Sequence, residues 1–115
     1  MKLEERDWKH LSTLKPLALD RLCGRILSQV QDVAGDASKS LHQRYLDVYS
    51  IIQDGDGDID TAFNDLRRSN AWLRLLAMRR LGLITDAEFE GFSEQTRRSL
   101  SGVAQTGDDS QREER

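Results

Sequence analysis

Apolar residues recur at three- and four-residue steps along most of the chain, a spacing typical of amphipathic helices. The first long stripe follows Pro16, which suits the first position of a helix, and ends before Gly35. Its members are Leu19, Leu22, Cys23, Ile26, Val30 and Val33. Residues 1–15 carry a shorter series spaced by three, which predicts a packed N-terminal extension or a short helix: Trp8, Leu11 and Leu14.

A second helix is predicted to begin after Ser40, because Ser40 and Gln43 have the spacing of a capping box. Its apolar stripe is Leu41, Tyr45, Val48 and Ile52, with Tyr49 at the edge. We expect it to end at the Asp-Gly repeat over residues 53–58, since glycine is costly inside a helix. Alternating aspartates also occur in calcium loops, but neither possible register supplies both the required glycine and the final glutamate. We therefore interpret the repeat as a helix end followed by a cap, with weak cation binding as the alternative.

A third helix is predicted from Asp58 or Asp60 to Leu81, roughly 35 Å long and the longest element. The face expected to point into the core contains Ile59, Ala62, Phe63, Leu66, Asn70, Leu73, Ala77 and Leu81. The opposite face is also apolar and is interleaved with arginine. Either the helix is central and buried all round, or this second face is an exposed interaction patch. The residues of that predicted patch are Arg68, Trp72, Leu75, Met78 and Arg79.

The clearest helix start follows this segment. Thr85 and Glu88 form a capping box, with Ile84 and Phe89 placed as a hydrophobic staple. Ser93 can cap a separate last helix, and residues 105–115, which contain no apolar residue, are predicted to be disordered. The sequence thus predicts an all-α, single-domain bundle of four to five helices over residues 16–104, mostly antiparallel, with one long central helix.

The segment Gly82-Leu83-Ile84-Thr85-Asp86-Ala87-Glu88-Phe89 resembles the turn of bacterial short C-terminal helical hairpin domains, which carry a Gly-x-Ile-Thr-x-x-Glu-Phe pattern. The resemblance covers under a tenth of the chain. It implies a bacterial type of helix connection and carries no function over.

Composition restricts the class of protein. The net charge of −3 argues against a protein that coats nucleic acid, and the single cysteine, Cys23, excludes an internal disulfide framework. The charge is segregated, however, with five acids over residues 54–65 followed by five arginines over residues 66–83. No segment is apolar enough to cross a membrane, and the charged N-terminus does not resemble a secretory signal. A cytoplasmic location is expected.

Catalytic patterns are absent from the sequence. His10 and His42 have no metal-ligand spacing, and no phosphate-binding glycine loop or nucleophile motif occurs. We therefore predict a non-enzymatic protein with no cofactor, metal or small-molecule substrate. Its predicted role is regulatory or adaptor-like, through contacts with a protein partner or a second copy, using the third helix. The alternative is a nucleic-acid-binding regulator that uses the Arg67–Arg80 helix, which the three acids beginning at Asp86 disfavour.

Overall fold

The computed structural model describes the backbone of residues 2–113 and the side chains of residues 2–103, and within that range it confirms the all-α class. It contains five α-helices: α1 (Glu5–Ala34), α2 (Leu41–Phe63), α3 (Ala71–Arg80), α4 (Asp86–Phe89) and α5 (Glu94–Glu113). A single 3₁₀ turn over Arg68–Asn70 leads into α3.

The longest helix is α1, with 30 residues, and not the third helix as predicted. The expected helix start at Pro16 is wrong, because Pro16 lies inside α1. An internal proline costs a helix about 3 kcal/mol. That cost is offset by burial of one continuous face of α1, whose helical spacing is the same before and after Pro16. The buried residues of this face are Asp7, Leu11, Leu14, Ala18 and Leu22. Residues 5–15 therefore belong to the same helix as the residues that follow.

The Asp-Gly repeat does not end a helix, since α2 continues through it to Phe63. Gly55 is buried where α2 meets α1, and a Cβ atom there would lie 2.6 Å from Cδ1 of Ile26. The missing side chain lets the two helices approach closely, which offsets the cost of glycine in the helix. The predicted caps, Asp58 and Asp60, are consequently internal residues of α2.

The actual break lies between Asn64 and Arg67. Asp65 adopts φ 53°, a left-handed conformation that no continuing α-helix accommodates. The Asn70 amide stabilises the turn: its Nδ2 donates to the Asp65 carbonyl at 2.8 Å, and its Oδ1 accepts from the Arg67 N–H at 2.9 Å. Asn70 thus satisfies a carbonyl just beyond the end of α2. The predicted third helix is two helices.

The sequence signals at the last two helices are confirmed. Thr85 and Glu88 form a reciprocal capping box at α4, and Ile84 and Phe89 are both buried. The Ser93 hydroxyl accepts the Thr96 N–H at 3.3 Å, so Ser93 begins α5. Of the segment predicted to be disordered, residues 105–115, the backbone of residues 105–113 forms the end of α5, and the side chains of the whole segment lie outside the described residues.

The hydrophobic core lies at one end of the α1–α2 pair. Its large, fully buried members come from both ends of the chain: Leu11, Leu22, Leu75, Met78, Leu83, Phe92 and Leu100. In the fully described stretch of residues 23–54, by contrast, no residue is buried. We call this stretch the arm. It consists of the second half of α1, the connection over residues 35–40 and the first half of α2.

Candidate interaction surface

The predicted patch on the third helix does not form one exposed surface. Leu75 and Met78 are 0% exposed and belong to the core, while Trp72 is half-buried. Leu73, expected to face the core, is 61% exposed. The two faces of α3 are therefore exchanged relative to the prediction, because the break at residues 64–67 cancels the helical register carried forward from Ile59. Leu75 and Met78 therefore agree with the other sequence-based alternative, in which this face of the helix is buried.

The two arginines of the predicted patch are held against their own chain. The Arg68 guanidinium pairs with the Glu5 carboxylate at 2.9 Å and lies 5.2 Å from the centre of the Trp8 ring. This pairing lowers the pKa of Glu5, chiefly through the hydrogen bond from Arg68. Arg68 thus connects the turn before α3 to the start of α1.

Arg79 connects α3 to α4 in a similar way. It donates to the Ile84 carbonyl at 3.0 Å, pairs with Asp86 at 3.0 Å and lies 4.2 Å from the centre of the Phe89 ring. A guanidinium that is stacked and hydrogen-bonded in this manner is already committed to the fold.

The remaining arginines of this segment bear on the nucleic-acid alternative. Arg67 pairs with Asp65, and Arg74 donates to the Thr61 carbonyl at 2.6 Å. Together with Arg68 and Arg79, four of the five arginines thus have partners within the chain. Arg80 has none among the described residues. The segment does not present a row of unpaired cations for a phosphate backbone.

A groove between α2 and α3 encloses a cavity of about 380 Å³. Its lining residues are Asp58, Thr61, Leu73, Arg74, Leu76, Ala77, Arg80 and Leu81. The hydrogen bond from Arg74 to the Thr61 carbonyl crosses this groove. Arg74 is the less exposed of the two arginines in the lining, and its guanidinium is therefore already bonded within the chain. The Arg74 Nε atom is buried without a partner.

The most exposed apolar surface lies on the arm. Four residues of α2 form what we call the arm stripe: Leu41 (77% exposed), Tyr45 (67%), Tyr49 (57%) and Ile52 (40%). At about 100° per residue these side chains lie within an arc of about 80°. Leu46 on α2 and Leu27 on α1 add exposed apolar area beside it. The sequence pattern that predicted a core face over Leu41–Ile52 therefore describes a surface in contact with water.

The exposure of the arm stripe follows from the number of helices in the arm. Three half-buried residues of α2 lie on a neighbouring face, the face on which Gly55 meets Ile26 of α1: Arg44, Val48 and Ile51. Two helices can cover one face of each other, and a third or fourth helix is needed to cover the next. The sequence shows that α2 is apolar at these positions. It does not show that α3 packs on the far half of α2, or that α4 and α5 pack on α1 and α3.

Charge around the arm stripe is unevenly distributed. The stripe contains no ionisable group other than its tyrosine hydroxyls. Beyond Ile52, toward the C-terminal half of α2, come four exposed aspartates: Asp54, Asp56, Asp58 and Asp60. At the other end, Lys39 pairs with Asp47 at 2.8 Å, which raises the pKa of Lys39 and lowers that of Asp47 through their hydrogen bond. The stripe is thus a neutral surface with an acidic end.

Within the described residues, no cluster of three or more His, Cys, Asp or Glu side chains has the arrangement of a metal site. In the same part of the chain, no helix is long and apolar enough to cross a membrane. His10 has a structural contact: its Nε2 donates to the Glu88 carbonyl at 2.8 Å, and its ring packs edge-on against Phe92. Cys23 is half-buried in α1.

Comparison with known protein families, with curated proteins and with solved structures finds no match for this chain.

Proposed function

We propose that this chain is a small, cytoplasmic, non-enzymatic protein of bacterial type that acts through protein–protein contacts in a regulatory or adaptor role. The contact surface is the arm stripe, and not the third-helix patch that the sequence suggested. The observation that carries the proposal is the exposure of Leu41, Tyr45, Tyr49 and Ile52 on an arm that has no buried residue. Contiguous exposed apolar surface on a water-soluble helix is typical of interaction sites.

The kinds of side chain in the stripe support the same proposal. Tyrosine buries a large apolar ring and keeps a hydroxyl for a polar partner, and it is enriched among residues that dominate binding energy. Tyr45 and Tyr49 are one helical turn apart and both more than half exposed. A pair of this kind can contribute most of the affinity of a helix-to-helix contact.

Hydroxyl-radical labelling with mass spectrometry tests the proposal, because labelling falls where a partner excludes water. Labelling of Tyr45 and Tyr49 is to be compared between dilute purified protein and the same protein in an extract of its source cells. Leu17 and Leu73, which are exposed elsewhere on the molecule, are the internal controls. We expect the two tyrosines to be protected in the extract while the two leucines are not. If the labelling of Tyr45 and Tyr49 were the same in the extract as in dilute purified protein, the proposal would be overturned.

A further inference from the structure

We propose that the arm stripe pairs with the arm stripe of a second copy of this chain, with the two α2 helices antiparallel across a two-fold axis. This inference rests on the proposed function and names the partner that the stripe fits. The two arms together would form a group of four helices in which each hairpin covers the apolar face of the other.

The available area is close to what a stable dimer requires. Counting about 200 Å² for each fully exposed residue of this size, the exposed fractions of the arm stripe together with Leu27 and Leu46 leave roughly 700 Å² per copy. A specific interface typically removes about 800 Å² from each partner.

The neutrality of the stripe favours a second copy over a charged partner. A two-fold interface places the same patch of both copies against each other, so a like-charged stripe would repel itself. The arm stripe has no charged side chain, and its tyrosines can stack or exchange hydrogen bonds in either order. Nothing in it opposes self-pairing.

The acidic end of α2 selects the antiparallel direction. Parallel α2 helices would bring the two runs Asp54–Asp60 side by side, and repulsion between them would oppose association. Antiparallel helices separate the two runs and place Asp56 of one copy toward the His42 end of the other. In the same register, Tyr45 of one copy lies opposite Tyr49 of the other, and Leu41 lies opposite Ile52.

Sedimentation equilibrium on the whole chain tests the dimer, with matched variants. We expect wild-type protein at about 100 μM to have a mass near 26 kDa, twice the 13.1 kDa of the chain. The double variant Tyr45→Glu, Tyr49→Glu places like charges opposite each other and should weaken association by more than about 100-fold, giving the mass of one chain. Leu17→Glu, an exposed leucine of α1 outside the arm, should remain dimeric.

Charge exchange tests the register. In the antiparallel pairing the variant Tyr45→Glu, Tyr49→Lys places each Glu opposite a Lys of the other copy, so this variant should dimerise, whereas parallel helices would place like charges opposite each other. Far-UV circular dichroism and the thermal midpoint should show that each variant is folded. A wild-type chain that stays at 13 kDa, or a dimer unaffected by the Glu variant, would overturn the second copy as partner. A Tyr45→Glu, Tyr49→Lys chain that stays monomeric would overturn the antiparallel register.

Failure of this inference is distinguishable from failure of the proposed function. A monomeric wild-type chain whose Tyr45 and Tyr49 are nevertheless protected in the extract would indicate a different protein partner. In that outcome the proposed function stands and the self-pairing is wrong.

Discussion

Arg21 and Glu88 form a two-bonded ion pair that joins the middle of α1 to the capping box of α4. Nη1 of Arg21 lies 2.6 Å from Oε1 of Glu88, and Nη2 lies 2.8 Å from Oε2. The same carboxylate accepts the Thr85 N–H at 2.9 Å, and Arg21 also donates to the Leu83 carbonyl at 2.9 Å. One side chain from each helix thus positions the whole connection between α3 and α4.

Glu88→Gln is expected to lower the free energy of unfolding by about 1–2 kcal/mol at pH 7. The hydrogen bonds from Arg21 lower the pKa of Glu88 from 4.5 to about 2. A lowered pKa in the folded state means that the contribution is complete above pH 4.5 and is lost as the pH falls toward 2. Urea denaturation of both proteins at a series of pH values measures the difference, which should shrink over that interval.

Glu90→Gln is the matched control for this prediction. Glu90 pairs with Arg97 at 3.2 Å but its side chain is 68% exposed, so its loss should cost less than about 0.5 kcal/mol. Equal losses for the two variants would show that the Arg21 pair contributes nothing special.

Asp7→Ala is expected to cost roughly 2–3 kcal/mol. Asp7 is 0% exposed and accepts the Ser93 N–H at 2.8 Å, the Ser93 hydroxyl at 2.7 Å and the Thr96 hydroxyl at 2.7 Å. Burial raises the pKa of Asp7, but these hydrogen bonds outweigh it and the pKa lies below its ordinary value. The alanine variant leaves all three donors without an acceptor. Urea denaturation measures the cost, and hydrogen exchange should show faster opening of the first turn of α5.

Asp20→Ala provides the comparison for Asp7, since Asp20 is an exposed aspartate of the same helix. Its replacement should change stability by less than about 0.5 kcal/mol. If both variants had the same stability as the wild type, Asp7 would not hold the start of α5.

Leu75→Ala and Leu73→Ala together test which face of α3 is buried. Leu75 is 0% exposed, so its truncation leaves a cavity and should cost about 2–4 kcal/mol. Leu73 is 61% exposed, and its truncation should cost less than about 0.5 kcal/mol. Thermal and urea unfolding of the two variants measure both values. If Leu73→Ala cost more stability than Leu75→Ala, the single long helix predicted from the sequence would be correct.

Gly57→Ala and Gly55→Ala test the close contact between α1 and α2. A Cβ at Gly57 meets nothing within 4 Å, so alanine there should stabilise the helix by about 0.5–1 kcal/mol. At Gly55 the Ile26 side chain must move, and the gain should be smaller or negative. The difference between the two variants should narrow in an Ile26→Val background, which removes the terminal Cδ1 atom. If the stability difference between Gly57→Ala and Gly55→Ala were the same in the Ile26→Val background, the contact between Gly55 and Ile26 would not be its cause.

Local signals in the sequence predicted much of the fold. The capping box at Thr85, the Ser40 cap and the helix start at Ser93 depend on neighbours within a few residues, and all are found. At Ser40 the hydroxyl accepts the Gln43 N–H while the Gln43 side chain donates to Asp47, so the predicted box is a one-sided cap. The two residues of the predicted staple, Ile84 and Phe89, are both buried. The two errors in helix boundaries concern glycine and proline. The predictions at Pro16 and Gly55 depend on the intrinsic helix preferences of proline and glycine, whereas packing against distant residues decides the conformation of both.

The candidate surface was less accessible to sequence reasoning. Helical spacing finds apolar faces, but it does not say which of two faces meets the core. The left-handed conformation of Asp65 reset the phase of α3 and exchanged the positions of Leu73 and Leu75. For the arm stripe, the missing information was where α3 to α5 pack along the α1–α2 pair, which depends on contacts such as Arg25 Nη1 with the Leu81 carbonyl at 2.8 Å, 56 residues apart.

The bonds from Asp7 to Ser93 and Thr96 span 86 and 89 residues, which has a consequence for synthesis on the ribosome. The chain emerges from its N-terminus, so α1 and α2 can pair early through contacts close in sequence. Leu11 and Leu14 cannot be fully covered until Phe92 and Leu100 have left the exit tunnel. A nascent chain therefore presents the apolar face of α1 to chaperones until its C-terminal helices have emerged.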